Sequence, residues 1–221
     1  MRNIGIISGL AAIALAACQP AVQEEAKAAP HQAYDAKTFF DTTAVSMAAA
    51  TPFAFSSDGA NVLVATDKSG VFNAAALPVA GGDLAPLTTS TTNAVFAISY
   101  FPTDDRVLVS SDGGGNELTH IYVRNADATL KDLTPGDKLK ADFLGFNHAG
   151  SAFYVATNER DAKFFDLYRY DASTYARKRV YENAQGLDLG PGSGDGRYLS
   201  LTKTRTTNDN DLYLFDRDAG K

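Results

Sequence analysis

The sequence contains no tryptophan and only one cysteine, Cys18, among its 221 residues. A single cysteine excludes an intrachain disulfide, and it also excludes a zinc site built from cysteines alone. Basic residues are fewer than acidic ones, 20 against 26, and the resulting net charge of −6 argues against a nucleic-acid-binding protein. Apolar residues nevertheless make up 45% of the chain, a proportion typical of a folded protein.

A short apolar run follows Arg2 at the N-terminus and extends from Ile4 to Ala17. It is shorter than the roughly 20 residues that a membrane-spanning helix needs. Its end, Leu15-Ala16-Ala17-Cys18, looks like a bacterial lipobox, where a signal peptide is cleaved and the cysteine is acylated. We therefore predict a signal peptide over residues 1–17, followed by a lipidated Cys18 and a flexible tether over residues 18–37.

The predicted lipid would attach the protein to the bacterial cell envelope, facing the periplasm, with the outer membrane as the expected location. The alternative is an ordinary secretory signal that has a cysteine near its cleavage site by chance. His31 lies in the predicted tether, which is rich in Ala, Gln, Glu and Pro, and we expect this side chain to be solvated.

The rest of the chain repeats at a nearly constant interval. Polar turns recur near residues 59, 105, 150 and 196, about 46 residues apart, and each precedes a run of strand-forming residues. A third strand is predicted in each unit, and three of these strands share one pattern: Ile121-Tyr122-Val123, Leu167-Tyr168-Arg169 and Leu212-Tyr213-Leu214. Fourth strands are predicted at Leu87-Thr88, Leu133-Thr134 and Val180-Tyr181.

This interval is typical of β-propellers, in which each blade is a four-stranded antiparallel sheet. The sequence thus predicts an all-β protein, with about four blades of a β-propeller over residues 38–221. The fourth unit reaches Lys221 where the other units enter their fourth strand, so we expect an incomplete, open propeller. The alternative is a closed four-bladed ring in which residues 38–46 supply the missing outer strand.

Several segments occur in an order that resembles a known family. They are Thr38-Phe39-Phe40-Asp41-Thr42-Thr43, Phe55-Ser56-Ser57-Asp58-Gly59, Asp67-Lys68-Ser69-Gly70-Val71-Phe72-Asn73, and Ser111-Asp112-Gly113-Gly114-Gly115-Asn116-Glu117-Leu118 leading to His120-Ile121-Tyr122. Together they resemble the N-terminal β-propeller of bacterial prolyl oligopeptidase-family serine peptidases, and the resemblance covers about residues 36–221. TolB-like propellers share the individual Ser-Asp-Gly repeats.

The resemblance implies a longer protein, in which an α/β-hydrolase domain follows the propeller and carries a catalytic Ser, Asp and His. In that family the propeller covers the active site and restricts access to peptides and other small substrates. The implied partners are therefore this hydrolase domain, peptide substrates that reach it, and the membrane through the lipid anchor. The alternative function is a free-standing, TolB-like envelope propeller that binds other proteins.

No catalytic residue, cofactor site or metal site is predicted within the chain itself. Ser193 is flanked by Pro191 and Asp195 at the positions where a nucleophile elbow requires glycine, so we interpret its segment as the first hairpin of the fourth unit. The chain alone is thus predicted to lack peptidase activity, and Cys18 is the one modified residue expected.

Three other motifs have a structural interpretation. The segment Asp112–Glu117 lacks the Lys-Ser or Lys-Thr of a phosphate-binding loop, and is predicted to be a loop between two strands, with Asn116 and Glu117 free to face a central opening. The segment Asn208–Asp211 lacks the remaining ligands of a calcium loop, and is predicted to be a turn. Arg177-Lys178-Arg179 is predicted to protect a rim strand from edge-to-edge pairing.

Overall fold

A computed structural model of the protein describes residues 33–48 and 53–221. The predicted signal peptide, Cys18 and His31 lie outside these residues. In the described ranges the chain is almost entirely β-structure with one short helix, and no helix there has the length and apolar character needed to cross a membrane. The chain divides into two compact units, residues 1–41 and residues 42–221.

The described part of the first unit contains helix α1 (Ala36–Phe40). The Asp35 carboxylate caps this helix by accepting the Thr38 N–H at 2.8 Å, as expected for an aspartate that precedes a first helical turn. None of the helix residues is buried. At five residues the helix is too short to be stable by propensity alone.

The second unit consists of four antiparallel sheets, and in each sheet the spatial order of the strands follows the sequence. The first sheet contains β1 (Val45–Met47), β2 (Asn61–Thr66), β3 (Asn73–Pro78) and β4 (Ala85–Pro86), and the second contains β5 (Val95–Phe101), β6 (Asp104–Ser111), β7 (His120–Arg124) and β8 (Leu130–Asp132). The third contains β9 (Ala141–Phe146), β10 (Ala152–Asp161), β11 (Phe164–Asp171) and β12 (Arg177–Tyr181), and the fourth contains β13 (Asp188–Gly192), β14 (Tyr198–Thr206) and β15 (Asp209–Asp216).

The core is divided among the spaces between consecutive sheets. Alternation of side chains along β6 shows why, because Val107 and Val109 pack towards the first sheet while Leu108 packs towards the third. A cluster between the second and third sheets contains the fully buried Phe101 and Phe153. Each sheet therefore depends on its neighbours to bury both of its faces, as in repeat proteins in general.

The prediction of an open row of propeller-like antiparallel sheets is confirmed. Residues 45–47 pair with β2, in a register that places Val45 opposite Thr66, so this strand is the inner strand of the first sheet. The alternative of a closed ring, in which residues 38–46 complete the fourth sheet, is therefore wrong. Residues 38–40 are helical instead, because the Asp35 cap nucleates the turn.

Two details of the predicted strands differ from the structure. Leu87-Thr88 and Leu133-Thr134, predicted as fourth strands, lie just after β4 and β8. In each case a threonine hydroxyl takes the place of the next backbone acceptor and ends the strand pairing. The Thr88 Oγ1 accepts the Ala74 N–H at 2.9 Å, in place of a backbone carbonyl. Asp104-Asp105, predicted as a polar turn, instead opens β6, where Asp104 forms an ion pair with Arg106 at 2.7 Å.

Candidate functional site on the loop face

At one edge of every sheet, the first strand begins, the second strand ends and the third strand begins. Ser111, at the end of β6, is opposite Val95 at the start of β5 and also opposite His120 at the start of β7. The same relationship holds in the third sheet around Thr157. We call this edge of the unit the loop face, and it contains the loops 67–72, 112–119, 162–163 and 207–208.

Backbone bonds join neighbouring sheets along the loop face. The Val95 N–H donates to the Phe72 carbonyl at 2.9 Å, and the Ala141 N–H donates to the Thr119 carbonyl at 2.8 Å. The first bond connects the second sheet to the first, and the other connects the third sheet to the second. The loop face is thus a continuous surface on a rigid scaffold, the usual setting for a binding site in a fold of this type.

The inner strands of the second, third and fourth sheets are β5, β9 and β13. They carry Phe96, Asp142 and Asp188 at equivalent positions, and all three residues are exposed. Their equivalence follows from the register, because Phe96 is opposite Ser110, Asp142 is opposite Ala156, and Asp188 is opposite Thr202. No sequence motif singled out the carboxylates of Asp142 and Asp188. Alignment of the repeats at the starts of the inner strands would have found them.

Asp142 and Asp188 line a cleft of about 280 Å³ between the third and fourth sheets, together with Lys163 and Asn183. Although Asp142 is exposed at the surface, the protein atoms around its carboxyl partly desolvate it and raise its pKa, while the charge of Lys140 opposes this effect. The Thr204 hydroxyl donates to Asp188 at 3.1 Å. A cleft with two carboxylates and one ammonium group is suited to a ligand with polar or cationic groups. In residues 33–48 and 53–221 no three acidic, His or Cys side chains converge to hold a metal ion.

The fully buried Asp166 holds the backbone of Asn183, one of the residues that line the cleft. Arg160 donates two bonds to its carboxylate, at 2.6 and 2.9 Å, and the Asn183 N–H donates a third at 2.9 Å. Burial acts to raise the pKa of Asp166, but the bonds from Arg160 and Asn183, with the charge of Arg179, outweigh burial and lower it. Asn183 in turn exchanges two side-chain bonds with the Leu187 backbone, so this loop is rigid.

The segment Asp112–Glu117 forms a loop between β6 and β7, as the sequence predicted. The Asp112 carboxylate accepts the Glu117 N–H at 2.9 Å, and the Asn93 side chain accepts the Gly114 N–H at 3.1 Å. Glu117 has a φ of 62°, a left-handed conformation that is uncommon for glutamate. Asn116 and Glu117 are exposed on the loop face, where they are available to a further domain or a ligand.

Ser193 lies in the turn between β13 and β14, in the hairpin that the sequence predicted. Its hydroxyl bonds the Asp195 carboxylate and accepts the Tyr198 N–H at 2.8 Å. Ser56 makes the same pair of bonds in the first sheet, with Asp58 and with the Asn61 N–H. The repetition indicates that these serines stabilise turns. The hydrogen bond from Ser193 also lowers the pKa of Asp195.

The remaining sequence motifs have structural positions. Asn208 lies in the turn before β15, and Arg177-Lys178-Arg179 begins the rim strand β12. Arg177 pairs with Glu159 at 2.8 Å, and Arg179 pairs with Glu182 at 2.6 Å. Of the other histidines, His120 begins β7 and pairs with Asp132 at 2.8 Å, and His148 lies in the turn after β9.

Comparisons with known proteins agree with this architecture. No protein-family profile matches the chain. Dipeptidyl aminopeptidase BIII of Pseudoxanthomonas mexicana is 36% identical over 88 residues, which are 38% of this chain and 12% of that protein. The chain therefore spans about an eighth of the length of this relative.

Solved structures share the fold at low sequence identity. TolB from Acinetobacter baumannii matches 76% of this chain and 41% of its own, with a TM-score of 0.53 and 18% identity. Dipeptidyl peptidase 4 of Porphyromonas gingivalis matches 74% of this chain and 24% of its own, with a TM-score of 0.52 and 14% identity. The resemblance to the propellers of prolyl oligopeptidase-type peptidases, which the sequence indicated, is confirmed by these similarities.

Proposed function

We propose that residues 42–221 are the propeller part of a longer, prolyl oligopeptidase-like serine peptidase. The observation that carries this proposal is the 36% identity to a dipeptidyl aminopeptidase, because the other similarities extend only to the fold. The chain contributes no nucleophile in this proposal. The catalytic Ser, Asp and His belong to an α/β-hydrolase domain outside these residues, and the propeller admits peptides to that domain according to their size.

The loop face supplies the features that such a role needs. Inner strands border the central channel of a propeller, and this general arrangement supports a role for Phe96, Asp142 and Asp188 in contacting an entering peptide. The sheets are held together by packed side chains and by the backbone bonds at Val95 and Ala141. A rigid row of sheet edges with fixed carboxylates can exclude large substrates and orient the amino groups of small ones.

Labelling with a fluorophosphonate probe is the first test. We expect no labelling of the 221-residue chain and labelling of one serine in the longer protein that contains it. A labelled serine within residues 42–221 would contradict the proposal. An unlabelled longer protein without a hydrolase sequence would instead favour the second candidate described below.

The gating role is tested by peptides of increasing length. In the longer protein, kcat/KM should fall steeply beyond a limiting length, because large peptides cannot pass the propeller. Removal of residues 42–221 should abolish this length dependence in any hydrolase domain that still labels with the probe. Equal length dependence with and without the propeller would show that it does not select substrates.

A second candidate is a free-standing envelope propeller that binds other proteins, and the two TolB structures favour it. TolB from Agrobacterium tumefaciens matches 76% of this chain and 61% of its own, with a TM-score of 0.54. Both candidates include an envelope location through acylation of Cys18. Mass spectrometry of the mature N-terminus should find a lipid-modified Cys18, and an unmodified residue at another cleavage site would refute the anchor.

A further inference from the structure

Helix α1 has an apolar side that is exposed. Residues three and four positions apart lie on the same side of an α-helix, so Ala36, Phe39 and Phe40 share one side of this turn. Phe39 is 66% exposed, and Phe40 is 85% exposed, the largest fraction for any large apolar side chain in residues 33–48 and 53–221. The Tyr34 ring contacts Phe39 edge to face, with ring centroids 5.8 Å apart. We call Tyr34, Phe39 and Phe40 the aromatic patch.

The other side of the helix is polar, and its groups are paired. The Lys37 ammonium group forms an ion pair with the Asp41 carboxylate at 2.7 Å, and the Asp35 carboxylate caps the first turn through Thr38. The helix is therefore amphipathic, with aromatic residues on one side and charged residues on the other. Helices that lie on a membrane surface have this arrangement.

The helix has little to stabilise it within the described part of the chain. None of its residues is buried, and one cap with one exposed ion pair stabilises a single turn only weakly. Exposed apolar side chains that occur singly need no explanation, but adjoining aromatic rings on one side of a helix indicate a contact with another apolar surface. Transfer of the aromatic patch into such a surface would stabilise the turn.

The position of the aromatic patch in the sequence indicates which surface this is. Tyr34 follows Cys18, the predicted site of lipidation, by 16 residues. A segment of that length reaches at most about 55 Å when fully extended, and about 20–24 Å on average as a flexible coil. A lipid on Cys18 would therefore hold the aromatic patch near the bilayer at an effective concentration in the millimolar range.

The charges beside the patch favour apolar contact over electrostatic attraction. Asp35 and Asp41 outnumber Lys37, so the segment carries one net negative charge and is not attracted to anionic lipids. Aromatic side chains instead favour the boundary between lipid headgroups and acyl chains. An amphipathic helix places its apolar side about 5–10 Å into that boundary.

We propose that the aromatic patch is a second membrane contact, in which Phe39 and Phe40 insert into the surface of the bilayer that holds the lipid on Cys18. The acyl chains provide the attachment, and the patch holds the segment after the tether against the bilayer surface. The bilayer as the partner rests on the envelope location in the proposed function. The amphipathic character of α1 rests on its own contacts.

The composition of the chain permits a direct test. Tryptophan is absent and Cys18 is the only thiol, so one substitution introduces a single fluorophore and one residue provides the attachment. The full chain with Phe40→Trp is attached to phosphatidylcholine vesicles through Cys18, by its natural lipid or, where the thiol is unmodified, by a maleimide lipid. We expect a blue shift of the tryptophan emission on attachment. Lipids brominated on their acyl chains should quench the emission by about half or more, as expected at a depth of about 5–10 Å.

Matched variants separate the aromatic patch from the rest of the surface. Leu130→Trp places the fluorophore on a half-exposed residue of β8, where we expect little quenching in the attached chain. Addition of Phe39→Ser to Phe40→Trp should reduce the quenching severalfold, whereas Phe55→Ser, at another half-exposed phenylalanine, should leave it unchanged. Equal quenching of Phe40→Trp and Leu130→Trp, or no effect of Phe39→Ser, would overturn the proposal.

The same measurements identify other partners of the patch. Blue-shifted emission of Phe40→Trp without vesicles would overturn the membrane contact. It would indicate a second copy if the shift depends on protein concentration, and a contact within the chain if it does not.

Salt distinguishes insertion from electrostatic adsorption. Quenching should persist in 1 M salt, where the Debye length is about 3 Å, and loss of quenching there would contradict insertion. An unmodified Cys18 in the natural protein would refute the lipid anchor of the proposed function. Quenching in the maleimide-attached chain would still report whether the aromatic patch enters a bilayer.

Discussion

Arg106 of the second sheet donates to the Ala172 carbonyl of the third sheet at 2.8 Å, and its guanidinium lies 4.1 Å from the centre of the Phe101 ring. The same nitrogen donates to the Tyr175 hydroxyl at 2.6 Å, while Asp104 holds the other side of the group. One half-buried arginine thus connects the second and third sheets through its side chain.

Replacement of Arg106 should therefore loosen the second sheet from the third. We expect Arg106→Ala to lower the free energy of unfolding by about 1–3 kcal/mol, since the Ala172 carbonyl loses a charged donor and Phe101 loses packing. Arg106→Lys keeps the charge but cannot reproduce the planar contacts, and should recover less than half of the loss. Urea denaturation of the three proteins measures this, and an unchanged midpoint for Arg106→Ala would contradict the assignment.

The hydroxyl of Thr134 is fully buried, where it accepts the Ile121 N–H. Thr134→Val preserves the shape of the side chain but leaves that N–H without an acceptor. The expected cost is about 1–3 kcal/mol of unfolding free energy. Thr134→Ser is the matched control, because it keeps the hydroxyl and should be clearly more stable than the valine variant in thermal denaturation. Equal stability of the two variants would show that the bond contributes nothing.

The sequence predicted the sheets better than it predicted the site. Asp-Gly and similar turns recur at a fixed interval, and tight turns have strong local requirements, so the positions of the hairpins could be inferred from residues such as Gly59 and Gly196. The ends of the outer strands could not be inferred from the sequence. The Thr88 and Thr134 hydroxyls replace backbone acceptors only when the tertiary structure brings them to β3 and β7.

The carboxylates of the cleft were missed for a related reason. Asp142 and Asp188 are separated by a whole repeat in sequence, and they are brought to one cleft by the packing of the third sheet on the fourth. Local composition contains no signal of that packing. Ser193 shows the opposite case, since its neighbours Pro191 and Asp195 were enough to predict a turn, and its bonds are those of a turn.

Two glycines with similar backbone conformations provide a comparison of strain and crowding. Gly59 and Gly196 have φ values of 71° and 77°, so alanine is strained at either position. A Cβ at Gly59 would meet open space, whereas a Cβ at Gly196 would displace the Tyr154 hydroxyl and the Arg217 guanidinium, which are hydrogen-bonded to each other. We expect Gly59→Ala to cost about 1–2 kcal/mol from backbone strain and Gly196→Ala to cost more. A smaller thermal destabilisation for Gly196→Ala would refute this ordering.

Asp142 is expected to reduce stability at neutral pH. Partial desolvation raises the pKa of its carboxyl in the folded protein, although the residue is exposed at the surface, so the ionised form is less favourable there than in the unfolded chain. Asp142→Asn should therefore raise the urea midpoint at pH 7, and the gain should disappear as the pH falls below about 4, where the aspartate is protonated in both states. A gain that is independent of pH would mean that packing, and not ionisation, is responsible.

Asp166 should have the opposite pH dependence. Arg160 and the Asn183 N–H lower the pKa of Asp166 against the effect of burial, so its ionised form stabilises the folded state. This contribution is fully present above about pH 5, and it is lost as the pH falls through the lowered folded-state pKa. Asp166→Asn should lower the urea midpoint at pH 7, and the difference from the unmodified protein should narrow below pH 4. Arg160→Gln removes the main partner of Asp166 and should reproduce this narrowing. The double variant should be more stable than the sum of the two single losses predicts, because Arg160 and Asp166 share one interaction. Strict additivity in that double-mutant cycle would show that Arg160 does not stabilise the Asp166 carboxylate.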